Sequence, residues 1–410
     1  MISIEPDRLL ADLRELATFG SVDTGVHRLS LTEADIAARH WLVQRMTDAG
    51  LDAQIDGLGN VYGETPEASR TVLIGSHTDT VPKGGWLDGA MGVIYGVEIA
   101  RALLEAGVDR PAGAGVDVIS FIDEEGHFQG TTGSLAFCNE FDPETDGDPV
   151  NADGVSFTQA LTQAGFAGRP IARVDATRHA AFLEAHIEQG PRLEQEDRRI
   201  GIVTGIVGIR RIRMVFAGQA DHAGTTPMEL RRDASAVLID CLYDLRQRFE
   251  ALAAENTVWN CGFMRIEPGA PNVVAESAEA VVEFRDLDPA VLERLAEAVH
   301  EAIHAATAAT DGKVTAETAM TLEINPANMS PDIGRKIEAA SRTLDTEPIW
   351  MPSGAGHDAM ILARHVPSGM LFIPSIGGRS HHTAEDTSEA DIVLGAQVLA
   401  GTVERLLRTG

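Results

Sequence analysis

Short apolar runs bounded by turn residues alternate with longer stretches of helical period through the first part of this 410-residue chain. Residues 71–74 and 115–122 are such runs, and each predicts a buried strand. Residues 6–18, 32–49 and about 88–104 place apolar side chains at helical spacing; the second opens on Thr32 with Glu33 and Asp35 in its first turn. Strand and helix in alternation predict an α/β fold, with a mostly parallel sheet covered by helices and beginning near Ala53. The pattern changes near Gly205. Residues 206–217 read as strand, 230–252 as helix, 257–267 and 278–286 as strands, 288–308 as helix and 313–322 as strand. That order has no parallel crossover, so it predicts a compact α+β sandwich inserted in the chain. A helix over 332–344, a strand over 366–374 and a closing helix over 387–407 resume the first pattern.

The polar residues that interrupt this pattern sit where the strands end. The run at 71–74 feeds Gly75-Ser76-His77-Thr78-Asp79-Thr80, and His77 and Asp79 on a strand point the same way. A carboxylate two residues from an imidazole suits the fixing of a metal-ligating histidine in one tautomer. Asp88 follows in the glycine-rich Gly84-Gly85-Trp86-Leu87-Asp88-Gly89, at the start of a helix. The run at 115–122 ends in Asp123-Glu124-Glu125-Gly126; of two adjacent glutamates, one can bind metal while the other acts as general base. Glu184-Ala-His186-Ile-Glu188-Gln189-Gly190 and Gly378-Arg379-Ser380-His381-His382-Thr383-Ala384-Glu385 add further imidazoles beside acids. His222 and His357 also lie in glycine-containing turns. From the residues alone, His381 and His382 are equally able to face a cavity.

In order, the motifs GSHTDT, GGWLDGAMGV, DEEG, EAHIEQGP, ADHAGTTPM, APNVV, SGAGHDA and GRSHHTAED span about residues 75–385. Together they resemble the amidase, hydantoinase and carbamoylase branch of the M20 metallopeptidases, which includes N-carbamoyl-L-amino-acid hydrolases, beta-ureidopropionases and allantoate amidohydrolases. The resemblance implies a discontinuous metal-binding catalytic domain, residues 1–206 with 327–410, and an inserted lid and dimerisation domain, 207–326. It implies two divalent metal ions, zinc, manganese, cobalt or nickel, held by His77, Asp88, Glu125, His186 and His381, with Asp88 bridging. His381 is preferred to His382 because the family pattern sets a glutamate four positions after the ligand. Glu124 is implied as general base and Asp79 as the residue that orients His77. His222 is implied to polarise the scissile carbonyl, Gln189 to read the ureido or amide group, and Asn272 and Arg285 to grip the substrate carboxylate. Without the family, Arg285 reads as a local ion pair with Asp286 or Asp288.

Charge and composition narrow the partners. With 62 acidic against 33 basic residues the net charge is -29, which disfavours nucleic acid and anionic membranes as partners. Nearly all the basic residues are arginine, which bears on genome composition or salt adaptation rather than on chemistry. Cys138, Cys241 and Cys261 lack paired spacing and read as reduced buried thiols. No stretch approaches the ~18 apolar residues of a membrane span, and the N-terminus has no secretory pattern, so a cytoplasmic protein is expected. The acidic, turn-rich residues 140–154 read as an exposed loop whose spacing fits no calcium-binding loop, and His300 and His304, lacking a third ligand, read as surface residues.

The reaction expected is hydrolysis of the ureido or amide C–N bond of an N-carbamoyl amino acid or related ureido acid, with ammonia and carbon dioxide released, by a homodimer. An M20-type aminoacylase or dipeptidase is the alternative enzyme, and a non-catalytic small-ligand binding protein the alternative from another class. One loop departs from the family: where the carbamoylases continue from Glu124-Glu125-Gly126 with an Arg-Phe pair, this chain has His127-Phe128-Gln129-Gly130-Thr131-Thr132. That substitution bears on the exact substrate.

Overall fold

A computed structural model of the chain describes residues 2–105 and 113–408, so Met1, 106–112 and 409–410 of the expected catalytic domain lie outside the described residues. The chain forms two compact units, Met1–Thr204 with Asn328–Gly410, and Gly205–Ala327.

The first unit is built on a nine-stranded mixed sheet. Across its centre the order is Gly201–Ile206, Ser368–Ile373, His179–Ile187, Arg70–His77, Ala114–Phe121, Val61–Glu64, Asp52–Ile55. The four strands from Ser368–Ile373 to Ala114–Phe121 run parallel, and the flanking strands pair antiparallel. Parallel strands covered on both faces bury every position: all eight residues of Ala114–Phe121 are buried, and seven of the eight in Arg70–His77. The helix Ala90–Glu105 packs on those two strands and is itself enclosed, with every residue from Ala90 to Leu103 buried. A helix apolar all round needs such a position between a sheet and an outer layer. The helix Pro6–Thr18 packs against it from outside, and Glu389–Arg408 and Pro331–Thr343 pack together on the same core.

The second unit is a four-stranded antiparallel sheet in the order Val258–Glu267, Ser277–Asp286, Gly208–Ala217, Thr315–Ile324. In Ser277–Asp286, burial alternates with period two, and Ala278, Ala280, Val282 and Phe284 face the helices Ala234–Leu252 and Pro289–Ala308. These residues make a hydrophobic core separate from that of the first unit.

Several expected boundaries move for local reasons. The strand expected over 206–217 is interrupted at Val207, with Gly201–Ile206 on one side and Gly208–Ala217 on the other. The helix expected from Leu230 starts at Ala234, because the Asp233 carboxylate accepts from the Ser235 and Ala236 amides and caps it there. The strands His179–Ile187 and Ile349–Ser353 leave no clear hydrophobic pattern in the sequence: the first carries buried Glu184 and His186, and the second is only five residues long. No helix among the described residues is long and apolar enough to cross a membrane. Cys138 and Cys241 are buried free thiols, whereas Cys261 is only half-buried. His300 and His304 are exposed.

Candidate metal centre

The C-terminal ends of the parallel strands deliver the site, as the crevice rule for open α/β sheets requires. Arg70–His77 ends on His77, Ala114–Phe121 leads through Ile122 and Asp123 to Glu124 and Glu125, and His179–Ile187 carries His186 one position from its end. Asp88 stands on the turn before the helix Ala90–Glu105. Gly89 beside it takes φ +63°, and a Cβ there would lie 2.4 Å from the His77 ring, so only glycine lets the turn approach the imidazole so closely.

Asp88 joins two clusters. His77, Asp88 and His186 place potential ligand atoms within 4.8 Å of one another, and so do Asp88, Glu125 and His381. One Asp88 oxygen lies 2.9 Å from His186 Nε2 and 3.8 Å from His77 Nε2. The other lies 3.3 Å from His381 Nε2, which is 3.5 Å from Glu125. His186 Nδ1 donates to the Ile187 carbonyl at 2.9 Å, which turns Nε2 toward Asp88. Glu124 reaches to 3.6 Å from His77 Nε2. His382 instead accepts the Ala384 amide through Nδ1 and is exposed.

Asp79 differs in detail from its expected part. The His77 Nδ1–H bond runs to the Asp79 main-chain carbonyl at 3.0 Å, while the carboxylate stands 3.7 Å away. The Asp79 carboxylate accepts the Glu125 amide at 3.3 Å, so it braces the neighbouring ligand loop as well.

The electrostatics are those of an acid cluster short of positive charge. Burial, then the neighbouring Glu125, pushes Glu124 well above the usual carboxylate range. Burial, then Asp88, takes Glu125 up to about 9, and burial, then Asp123, takes Asp79 up to about 7. Burial lowers His77 to about 4. Burial works against a charge on His186, but its hydrogen bond to Asp88 prevails and raises it to about 9. Asp88 is likewise opposed by burial, and the His186 and His381 bonds hold it well below the ordinary value. One oxygen each of Asp79, Glu125 and Gln189 is buried without a hydrogen-bond partner among the described residues. Divalent cations answer both features, since they accept carboxylate and neutral imidazole donors and reverse the repulsion that raises these pKa values. The residues present therefore fit a two-ion centre.

Residues 73–405 match the family described as peptidase family M20/M25/M40. The chain belongs to that family. An N-carbamoyl-L-amino acid amidohydrolase from Geobacillus stearothermophilus is 37% identical over 98% of this M20 chain and 99% of its own length. An allantoate amidohydrolase from Bacillus subtilis is 32% identical over 95% of each. A crystal structure of an amidase of the hydantoinase/carbamoylase family from Burkholderia phymatum superposes with a TM-score of 0.90 at 44% identity, covering 99% of this chain and 98% of the other.

Other supports of the centre in this M20 chain were not assigned by sequence. Glu385 accepts the Leu87 and Asp88 amides through one oxygen and the Ser380 hydroxyl through the other, and burial raises its pKa to about 7. Asp123, in the left-handed region at φ 57°, accepts the Phe128, Gln129 and Gly130 amides and the Thr132 hydroxyl, which shapes the loop that departs from the family pattern. His127 in that loop pairs with Asn151 at 3.1 Å, and Phe128 packs on Phe157. His357 packs edge-on against His186, with ring centroids 4.5 Å apart. Both Glu385 and Asp123 lie inside recognised motifs, which was the available signal.

Gln189 belongs to the first unit: its side-chain amide donates to Asp88 and Ser380 at 3.1 Å each. His222, Asn272 and Arg285 belong to the second unit. His222 and Asn272 are exposed on two paired loops, where the Ala223 amide donates to the Asn272 carbonyl and His222 forms a backbone bridge with Val273. Arg285 forms a local ion pair with Glu283 two residues earlier at 2.7 Å, since side chains at i and i+2 on a strand share a face.

Proposed function

We propose that this chain is a metal-dependent amidohydrolase that cleaves the ureido C–N bond of N-carbamoyl amino acids or related ureido acids. The observation that carries this reading is Asp88, a single carboxylate shared by two groups of metal-ligand type, with Glu124 standing 3.6 Å from His77 beside them. The activities named for the two relatives above, on N-carbamoyl-L-amino acids and on allantoate, support the substrate class.

His77, Asp88 and His186 would hold one ion and Asp88, Glu125 and His381 a second; zinc, manganese, cobalt and nickel all suit this donor set. Ions bound there supply Lewis acidity and a water that loses its proton near neutral pH. Glu124, 3.6 Å from His77 Nε2, accepts the proton of the attacking water. The oxygen adds to the ureido carbonyl carbon, and Glu124 returns the proton to the leaving nitrogen as the C–N bond breaks. Water and an N-carbamoyl amino acid then yield the free amino acid, carbon dioxide and ammonia. Asp79 holds His77 and the Glu125 amide in place. Gln189 reads the ureido group with the side-chain oxygen that has no partner among the described residues. On the family pattern, His222 stabilises the carbonyl oxygen as charge develops, and Asn272 and Arg285 take the substrate carboxylate. The same pattern supports a cytoplasmic homodimer, with 207–326 as lid and dimerisation domain and 1–206 with 327–410 as catalytic domain.

The deciding experiment measures ammonia and free amine from protein stripped of metal and then reconstituted with manganese, cobalt, nickel or zinc. Substrates are N-carbamoyl-L- and D-amino acids, N-carbamoyl-β-alanine, allantoate, acetyl-amino acids and dipeptides. Metal-dependent ammonia release from a ureido acid is expected. Amine release without ammonia would transfer the chain to the aminoacylase or dipeptidase reading.

A further inference from the structure

Beneath the His77 turn lies a buried cation with an unusual set of partners. Arg28 is 0% exposed, and it enters no ion pair among the described residues. Its guanidinium donates from Nε to the Thr78 carbonyl at 2.7 Å and from Nη1 to the Leu16 and Phe19 carbonyls at 2.9 and 2.8 Å. Thr78 is the residue between the ligand His77 and Asp79, and Leu16 and Phe19 close the helix Pro6–Thr18. One side chain therefore fastens the ligand turn to a helix end.

The backbone of Arg28 grips the same turn. Its amide donates to the Thr80 hydroxyl at 2.9 Å, and the Thr80 amide donates to the Arg28 carbonyl at 2.9 Å. Capping a helix end does not require an arginine, because a glycine or a solvated side chain does it without burying a charge. Burying a guanidinium whose hydrogen bonds go to carbonyls, with the Asp35 and Asp79 charges acting only from beyond ion-pair distance, is expensive, so its retention here needs a compensating role. The contrast within the same unit is Arg39, equally buried but paired with the Asp35 carboxylate at 2.8 Å. Burial lowers the Arg28 pKa only to about 10, so it remains a cation at neutral pH.

We propose that Arg28 is a positioning residue for the metal ligand His77, holding the His77-Thr78-Asp79 turn in its ligating conformation through the Thr78 carbonyl. The proposal rests on the reading of the site as a metal centre. It bears most directly on one side of that centre, because His77 belongs to the cluster with Asp88 and His186, whereas the turn reaches the cluster with Glu125 and His381 only through the Glu125 amide on Asp79.

The test titrates metal-free protein with Co2+, followed by visible absorption and calorimetry, for wild type, Arg28→Lys and Thr80→Val. Thermal denaturation of each metal-free protein runs in parallel. Lysine keeps the charge but cannot reach three carbonyls with a planar fork. Wild type is expected to bind two equivalents. Arg28→Lys is expected to weaken one of them by roughly 10–100-fold while the other changes much less, the range seen when partners of metal ligands are removed. Thr80→Val should act in the same direction and by less. Wild-type Co2+ affinity in both variants, with only the melting temperature lowered, would reduce Arg28 to a structural role and overturn the proposal. Should Arg28→Lys not fold, Thr80→Val decides by itself, and undiminished affinity there overturns it. A wild type that binds no Co2+ would overturn the metal reading itself, an outcome distinct from either.

Discussion

The Asp88 amide donates to the Glu385 carboxylate across 3.1 Å, between residues 297 positions apart. Through its other oxygen Glu385 takes the Ser380 hydroxyl, next to His381. The two loops that carry the shared carboxylate and the last imidazole are thus set by a single buried acid, which binds no metal in the clusters described.

Replacing Glu385 by alanine leaves the Leu87 and Asp88 amides and the Ser380 hydroxyl without this acceptor. Metal affinity is expected to fall roughly 10–100-fold, measured by cobalt titration of metal-free protein. Because Asp88 is shared, both equivalents should weaken, in contrast to the one-sided effect expected at Arg28. Unchanged affinity would show that the Asp88 turn holds its shape unaided.

The variant Glu124→Gln should separate chemistry from binding. Glutamine keeps the shape but cannot take a proton, so kcat is expected to drop by about 10²–10⁴. Metal content by atomic emission should match wild type, since Glu124 belongs to neither ligand cluster. Loss of metal together with activity would reassign Glu124 as a ligand.

Metal-free protein should lose thermal stability as pH rises from 6.5 to 9. Glu125 and His186 titrate near 9 in the fold, and Asp79 and Glu385 near 7, all above their ordinary values. The folded state therefore holds protons that the unfolded state has released, and stability declines as pH passes through the folded values. His77, lowered to about 4, acts in the opposite sense only between about 4 and 6.5. Melting curves across this range, without metal and with zinc or cobalt, test it: the metal should raise the melting temperature more at pH 9 than at 6.5. A flat profile without metal would contradict the acid-cluster account.

Phe284→Ala probes the inserted unit. Phe284 is fully buried in the second core, between Phe249 and the helix Pro289–Ala308. Removing the ring is expected to destabilise that unit by about 3–5 kcal/mol in denaturant unfolding. Cobalt affinity at the first unit's site should be unaffected where the protein remains folded.

Much of the site could be read from local pattern. Apolar runs ending in His77 and near Glu124 marked strand termini, and a strand end beside glycines is a poor place for unpartnered polar groups unless they bind something. The strand His179–Ile187 was harder. Glu184 and His186 break its apolar run, yet both are buried, Glu184 by accepting the Ser76 hydroxyl and the Ala359 amide. Those partners lie far along the chain, so periodicity carries no trace of them.

The sequence by itself determined those elements whose period is clear, because helix and strand periods are properties of neighbouring residues, and it determined the donor chemistry, because only certain side chains can ligate or transfer a proton. Tertiary structure alone decided that Asp88 joins two clusters, that His381 rather than His382 stands beside Asp88 and Glu125, and that Arg28, Asp123 and Glu385 brace the ligand turns. The physical reason is one of range. A hydrogen bond from Asp88 to Glu385 or from Arg28 to Thr78 depends on the order in which strands join the sheet, and that order brings together segments whose local patterns never meet in the chain.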